Sequence, residues 1–267
     1  MIFYPEFLRI RRAYVWFNGI ITALMLFVVF LIFEATHGHA VHLDVNGNAV
    51  ASSPNIPLSV LFLGVGFVTA IYATVFATSL NRLTDNAELV WTEPRRRTMT
   101  ALRDLAVDLI GIVAVYLTVF VVAVAIPLTL FGAWRQVLVD SPAPIALLLG
   151  VLFPMLFHAE LQAATSWHRK AGGVMAGLSW PLFLILGALQ GAPLPDSLHA
   201  VLIGLNFLNP LNYLEATYHS SDLQISAGAL VQAGVTVLPL ATRALLAVVL
   251  AVAAYAIAVF GWNRVEL

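Results

Sequence analysis

The sequence predicts an all-α, polytopic membrane protein with six transmembrane helices. Of its 267 residues, 61% are hydrophobic and 10% are charged, whereas a soluble domain carries about 25% charged residues. Six apolar runs are long enough to cross about 30 Å of hydrocarbon. Lys and Arg collect in alternate loops, as cytoplasmic loops require. No cytoplasmic loop exceeds about 25 residues, too few for an independent core, so residues 1–267 form a single transmembrane domain.

The six predicted spans are separated by loops of very different length. They are Tyr14–Phe33, Leu58–Leu80, Leu105–Phe131, Ala143–Thr165, Gly172–Leu189 and Ala244–Trp262. Segment 190–243 lies between the last two. Within it, 198–208 is apolar but too short to span, which predicts a re-entrant or interfacial helix. The longer apolar run 223–240 leaves a seventh crossing open.

The N-terminal residues 1–13 predict an amphipathic elbow helix. Phe3, Phe7, Ile10 and Tyr14 recur on one helical face, and such a helix lies in the membrane interface with that face in lipid. The alternative is that these residues only anchor the first span. The start lacks the ordered features of a signal peptide, so we expect Met1 to begin the mature chain.

The positive charges predict an orientation with both termini in the cytoplasm. With six spans, only Arg135 and Arg243 of the 13 Lys and Arg residues fall outside. The cytoplasmic side holds the other eleven, namely Arg9, Arg11, Arg12, Arg82, Arg95, Arg96, Arg97, Arg103, Arg169, Lys170 and Arg264. The extracellular side then contains 34–57, 132–143 and 190–243. Net charge −1 gives no basic footprint for nucleic-acid binding.

The cytoplasmic loop 81–104 combines a short helix with a basic helix entry. Asp85 and Glu88 fit a capped start, so a helix is predicted over about 86–92. Pro94 ends it and suits the first position of the next helix. Trp91 then lies on a tip that faces the cytoplasm. The alternative is that the arginines of this loop only hold lipid phosphates and fix the orientation.

The stretch "LTDNAELVWTEPRRRTMTALRDLAVDLIG", 83–111, resembles the first cytoplasmic loop of type 2 ATP-binding-cassette (ABC) exporter permeases. The closing "WNRVEL", 262–267, is also similar to the ends of that family. The elbow helix, six spans, inside termini and short re-entrant helices before the last span match its topology.

This resemblance implies that the loop helix is a coupling helix, which docks on a separate ABC ATPase (nucleotide-binding) subunit. The implied coupling residues are Asp85, Glu88, Leu89, Trp91, Arg95, Arg96 and Arg97. It also implies a second permease copy or homologue and a bacterial-type plasma membrane. The only lysine, Lys170, follows no glycine-rich P-loop. ATP and Mg²⁺ are therefore expected on the partner, with no cofactor and no catalytic residue in this chain.

Charged side chains inside spans are candidate functional groups. Asp108 lies in the third predicted span, and His158 and Glu160 lie in the fourth. One hypothesis is an intramembrane proton or substrate site made from these three residues. The alternative is that the acids pair with basic residues at the cytoplasmic interface.

Two motifs in the predicted extracellular segments are further candidate sites. His37, His39, His42 and Asp44 could ligate a metal, but their spacing matches no catalytic metal motif, so no metal site is predicted. "NFLNPLNYLEATYH", 206–219, contains a turn at Asn209 and Pro210 and aromatic residues including Tyr213. The resemblance makes Asn209, Pro210 and Tyr213 a candidate exit gate, and the alternative is a surface helix without a gating role.

The predicted function is a permease that exports an amphipathic or lipid-like substrate, since few charges lie in the spans to bind a polar one. Two other classes stay open. One is a stand-alone, proton-coupled carrier that uses Glu160, and the other is a membrane metal or redox enzyme that uses His158, His168 and the outside histidines.

Overall fold

The computed structural model describes most of the predicted helical core. It covers residues 11, 14–20, 22–24, 26–27, 56–82, 97–166, 172–189, 192–214, 218–220, 223–225 and 238–264. Residues 1–10 and 83–96, which contain most of the predicted elbow helix and coupling helix, lie outside this part of the chain.

The described residues are mostly helical, as the sequence predicts. The helices are α1 (Tyr14–Leu24), α2 (Leu58–Arg82), α3 (Arg97–Phe120), α4 (Ile126–Leu130), α5 (Ala143–Thr165), α6 (Gly172–Leu189), α7 (Asp196–Asn206), α8 (Leu211–Leu214) and α9 (Leu240–Arg264). A π-helical turn, Val121–Ala125, joins α3 to α4, and a 3₁₀ turn, Ala133–Gln136, follows α4.

Three helical stretches of the described chain are long and apolar enough to cross a membrane. They are Ala101–Leu130, Ala143–Thr165 and Leu240–Trp262. Shorter apolar stretches, Tyr14–Leu24, Leu58–Thr74 and Gly177–Leu189, lie within the other three predicted spans. The bounds of α5 and α6 coincide with the predicted fourth and fifth spans, whereas α9 begins four residues before the predicted sixth.

Two short β pairs were not predicted. β1 (Ile56–Pro57) pairs in parallel with β2 (Val137–Leu138), and β3 (Tyr218–Ser220) pairs antiparallel with β4 (Leu223–Ile225). The first three residues of the apolar run 223–240 are therefore extended rather than helical. Residues 226–237 of that run lie outside the described part of the chain.

The third apolar helix changes its winding before a proline. Pro127 has no N–H to donate to the preceding turn, and the π-helical residues Val121–Ala125 lie immediately upstream. A π turn is a common way to absorb such a lost hydrogen bond. Gly132 then ends α4 with a left-handed conformation, φ 61°, which favours glycine because it has no Cβ.

Helix α5 lies at the centre of the bundle, between α2 and α9. Gly66 of α2 and Gly150 of α5 bring two backbones into direct contact. A Cβ on Gly66 would lie 2.5 Å from the Gly150 carbonyl oxygen, and one on Gly150 would lie 2.5 Å from the Phe62 carbonyl oxygen. Small residues permit this approach between membrane helices, so the pair fixes the distance between α2 and α5.

Helix α9 contacts α5 through a stripe of small residues. Its buried alanines are Ala244, Ala247, Ala251, Ala254 and Ala258. Their spacing alternates between three and four residues, so they share one helical face. Ala247, Ala251 and Ala254 pack with Leu156 and Ala159 of α5, whereas Ala258 packs with Leu105 of α3. The alanine face therefore lies at the junction of three helices.

The contacts also give the helix directions. Asp108 lies beside His158, and the Tyr116 hydroxyl lies beside Gly150, so α3 and α5 run antiparallel. Near the start of α9, Ala244 packs in one cluster with Ala146 near the start of α5, and Tyr255 bonds to the Met155 carbonyl further along. Helices α5 and α9 therefore run parallel.

Asp140 attaches the start of α2 to the segment that precedes α5. Its carboxylate accepts a hydrogen bond from the Ser59 backbone N–H at 3.0 Å and a second, short one from the Ser59 hydroxyl. A carboxylate in this position satisfies a free helix N–H and is favoured by the helix dipole. The contact joins two segments that are 81 residues apart in sequence.

We expect Asp140→Ala to lower the free energy of unfolding by about 1–2 kcal/mol, the usual cost of losing a helix cap. Thermal unfolding of the purified protein in lipid nanodiscs measures this change. Ser141→Ala, at the exposed neighbouring position, is the matched control and should alter stability by less than about 0.5 kcal/mol. Equal free energies of unfolding in the two variants would contradict the capping role of Asp140.

Candidate functional site

The predicted coupling residues lie almost entirely outside the described chain. Asp85, Glu88, Leu89, Trp91, Arg95 and Arg96 belong to 83–96, and Arg97 is the first residue of α3. The coupling role therefore stays a prediction. The other two candidate groups lie on described residues.

A buried polar cluster lies where α3, α5 and α9 meet. His158 Nε2 of α5 is 3.5 Å from Asp108 Oδ2 of α3, and both side chains are fully inaccessible. The side-chain amide of Gln162, one turn further along α5, is 3.3 Å from the same Nε2. Two of the three residues of the hypothetical intramembrane site are thus in contact.

Tyr255 of α9 contacts the other side of the imidazole ring. Its hydroxyl is 3.0 Å from His158 Nδ1 and 3.1 Å from the Met155 carbonyl oxygen. Both ring nitrogens of His158 therefore have polar neighbours, one on α3 and one on α9. Because burying a polar group without a partner is costly, these contacts explain how an apolar bundle accommodates the histidine.

Glu160 does not join this cluster. It follows His158 by two positions, which places it roughly 200° around the helix. It lies instead within electrostatic range of Tyr213. Burial, and secondly the Glu160 carboxylate, raise the pKa of Tyr213 to about 12. Glu160 thus lies apart from the contact between Asp108 and His158, which separates the three-residue site of the sequence into two places.

A network of asparagines fastens the two short helices to α6. Asn206 donates to the Leu186 carbonyl at 3.1 Å, and Asn209 donates to the Phe183 carbonyl at 2.9 Å. Asn209 and Asn212 both donate to the side-chain oxygen of Asn206, each at 3.1 Å. All three side chains are buried. Their bonds hold the turn between α7 and α8 against the interior of α6.

The turn itself follows from Asn209 and Pro210. The Asn209 side-chain oxygen accepts from the Leu211 backbone N–H at 3.1 Å, an Asx-type turn that starts α8. Tyr213 donates to the Phe207 carbonyl at 2.9 Å and packs against Leu156 of α5. The predicted gate residues are therefore buried against the bundle next to the middle of α5, and their gating role stays a prediction.

We expect Asn209→Ala to loosen the α7–α8 turn. The substitution removes two donated bonds and one accepted bond, and at about 0.5–1.5 kcal/mol each the loss is about 2–4 kcal/mol. Hydrogen exchange measured by mass spectrometry should show faster exchange in 206–214. Leu208→Ala, at the exposed neighbouring position, is the control, and equally fast exchange in both variants would contradict the anchoring role.

Four site residues were missed from the sequence. Asn206 and Asn212 could have been identified from the spacing Asn-x-x-Asn-x-x-Asn. This spacing places three side-chain amides around one turn, where they can form hydrogen bonds. Gln162 could also have been identified, because it follows His158 by four positions and so lies on the same face of the helix. Tyr255 had no local signal, because its partners lie about 100 residues earlier in the chain.

No metal site emerges from the described residues. Within them, no group of three His, Cys, Asp or Glu side chains is placed to hold a metal ion. The histidine loop with His37, His39, His42 and Asp44 lies outside the described ranges.

Comparison with known proteins adds no assignment. No protein-family model, no curated protein and no solved structure matches this chain.

Proposed function

We propose that this chain is the permease subunit of a type 2 ABC exporter. In this proposal it crosses a bacterial-type plasma membrane six times, with both termini in the cytoplasm. The observation that carries the proposal is the pair of short helices, α7 and α8, anchored between the fifth and sixth apolar helices. The resemblance of 83–111 to the family's coupling loop adds the expectation of an ATPase partner.

The helix directions support six crossings rather than seven. Residues 166–171, six in number, span at most about 20 Å, less than the roughly 34 Å length of α5. Helix α6 must therefore start near the end of α5 and return. Since α9 runs parallel to α5, it starts at the end of the bundle to which α6 has returned. Segment 190–239 then begins and ends on one side, which favours six crossings over the seven that a span at 223–240 would give.

The asparagine network supports a re-entrant position for α7 and α8. In hydrocarbon every backbone and side-chain amide needs a partner within the protein. Asn209 donates to Phe183, which lies six residues before the end of α6, and Tyr213 packs against Leu156 near the middle of α5. The short helices thus enter the bundle from the predicted outer side and stop partway.

The proposed mechanism is rigid-body transmission. Nucleotide-driven closure of the ATPases moves the predicted 85–92 helix, and the chain after Pro94 passes this displacement to the basic start of α3. Helix α3 contacts α5 and α9 through the buried polar cluster and the alanine face, so its displacement is passed to both. Close-packed interfaces transmit such shifts because they have few voids to absorb them. The α7–α8 turn, attached to α6, would then open or close the outer end.

Partners and substrate follow from the same proposal. ATP and Mg²⁺ bind the separate ATPase subunit, and a second permease copy or homologue completes the path. Large apolar side chains such as Leu245, Val252 and Ile185 are exposed on the single chain, which suits contact with lipid tails or with the second copy. An amphipathic or lipid-like substrate fits the small number of charged groups in the bundle.

Co-purification tests the proposal. The tagged chain is extracted gently from its native membrane, and P-loop ATPases are identified by mass spectrometry. We expect one ATPase with the wild type and its loss in Glu88→Ala/Trp91→Ala. The matched control, Arg135→Ala/Val139→Ala, alters one charged and one apolar residue on the opposite side and should retain it. Absence of an ATPase from the wild type would overturn the proposal.

The second candidate is a stand-alone proton-coupled carrier, favoured by the buried contact between Asp108 and His158. It requires no ATPase, so the same co-purification separates the two functions.

A further inference from the structure

We propose that His158 is a reversible proton-binding site inside the bundle, with Asp108 as its counter-ion and the Tyr255 hydroxyl as the group that adapts to its charge. This site follows from contacts within the chain and does not depend on an ATPase partner. Its ligand is a proton, taken up at Nδ1.

The Tyr255 hydroxyl has two acceptors within reach. It carries one hydrogen, and the Met155 carbonyl oxygen and His158 Nδ1 lie 3.1 Å and 3.0 Å away. When Nδ1 bears a lone pair, the hydroxyl donates to it. When Nδ1 is protonated, the hydroxyl turns to the carbonyl and its oxygen accepts from Nδ1–H. A rotation of one O–H bond therefore satisfies both charge states of the ring.

The Asp108 carboxylate determines whether the other ring nitrogen of His158, Nε2, carries a proton. Its Oδ2 is 3.5 Å from Nε2, so the carboxylate favours a proton on Nε2 in both states. The Gln162 amide nitrogen lies 3.3 Å from His158 Nε2, and a half turn of the amide, whose two ends are nearly indistinguishable, places its oxygen there to accept from Nε2–H. Proton uptake changes the pair from one negative charge to none, and the lower net charge is favoured in a buried site.

Other ionisable groups on the surrounding helices are few. Helix α3 contributes Asp104, one turn before Asp108, with Arg97, Arg103 and Tyr116; α5 contributes Glu160 on its other face; α9 contributes Tyr255, with Arg243 and Arg264 near its two ends. On α2, Tyr72 lies within electrostatic range of Asp108, and Tyr14 of α1 stacks edge-on against Tyr72 at 6.4 Å between ring centres. Asp108 is thus the acidic group in direct contact with His158.

The test is ¹⁵N NMR of protein labelled only in its histidine rings, in phosphatidylcholine nanodiscs between pH 5 and 9. The His158 signals are those lost in His158→Gln. We expect a reversible change from a neutral ring with its proton on Nε2 at high pH to a doubly protonated ring at low pH. A ring that stays in one protonation state across the range would overturn the site. A neutral ring with its proton on Nδ1 would overturn the role of Tyr255.

Two variants test the counter-ion. Asp108→Asn keeps an acceptor for Nε2–H but removes the charge, so proton binding at His158 should weaken at least tenfold, since an adjacent opposite charge is worth about 1–3 pH units. Glu160→Gln, on the opposite face of α5, should change proton binding at His158 less than twofold. Equal proton binding in the wild type and in a folded Asp108→Asn protein would overturn the role of Asp108. The titration of the wild type alone decides whether the proton-binding site exists.

Discussion

Gly150→Val is expected to prevent the bundle from folding. Its Cβ alone would lie 2.5 Å from the Phe62 carbonyl oxygen and 2.9 Å from the Tyr116 hydroxyl. The first of these atoms belongs to the backbone of α2, so relief requires the two helices to separate. Overpacking a close contact costs about 1–3 kcal/mol and occasionally more, and here we expect the upper end or beyond. Yield of monodisperse protein and its unfolding temperature measure the effect.

The matched control for this substitution is Gly64→Val. An added Cβ at Gly64 meets nothing within 4 Å, although the residue lies in the same helix as Gly66. We expect Gly64→Val to fold with nearly normal yield. If the two valine variants were equally stable, the account of α2 and α5 as helices in backbone contact would be wrong.

His158→Leu is expected to have the second largest effect, because it leaves Asp108 without its neighbour 3.5 Å away. Removing one partner of a buried ionic pair typically costs about 3–5 kcal/mol, so the loss is measured at a pH where the His158 ring is protonated. Replacing both partners with apolar residues is often nearly neutral. We therefore expect Asp108→Leu/His158→Leu to recover most of the stability lost in His158→Leu.

Thermal unfolding of the wild type, both single variants and the double variant forms a complete cycle, which isolates the interaction between the two side chains. A double variant whose loss equals the sum of the two single losses would show that the contact between α3 and α5 contributes no coupling energy.

The helical core was largely predictable from the sequence, because long apolar runs have few structural options in lipid. The bounds of α5 and α6 were predicted at the right residues. The early start of α9 was not, since Arg243 argued for a loop. In the structure Arg243 is buried and its Nε donates to the Leu238 carbonyl at 2.8 Å, so the guanidinium forms part of the helix start.

The candidate sites were predictable only in part, because they depend on contacts between distant segments. Asp108 and His158 were chosen as charged or polar residues inside spans, and they lie 3.5 Å apart, while their functional role stays a prediction. Nothing local placed Tyr255 beside them or brought Glu160 within electrostatic range of Tyr213. These two relations arise from the directions and spacing of α3, α5, α8 and α9, which the apolar pattern of each helix does not encode.

The most direct test of the proposed function is site-specific photocrosslinking in intact cells, with a photoreactive amino acid at position 91 or at position 139. Position 91 is the tip of the predicted coupling helix, and Val139 is exposed at the opposite end of the bundle. We expect a crosslink to a P-loop ATPase from position 91 and none from position 139. A chain that is inserted and folded but gives no ATPase crosslink at position 91, or gives one at position 139, would contradict it.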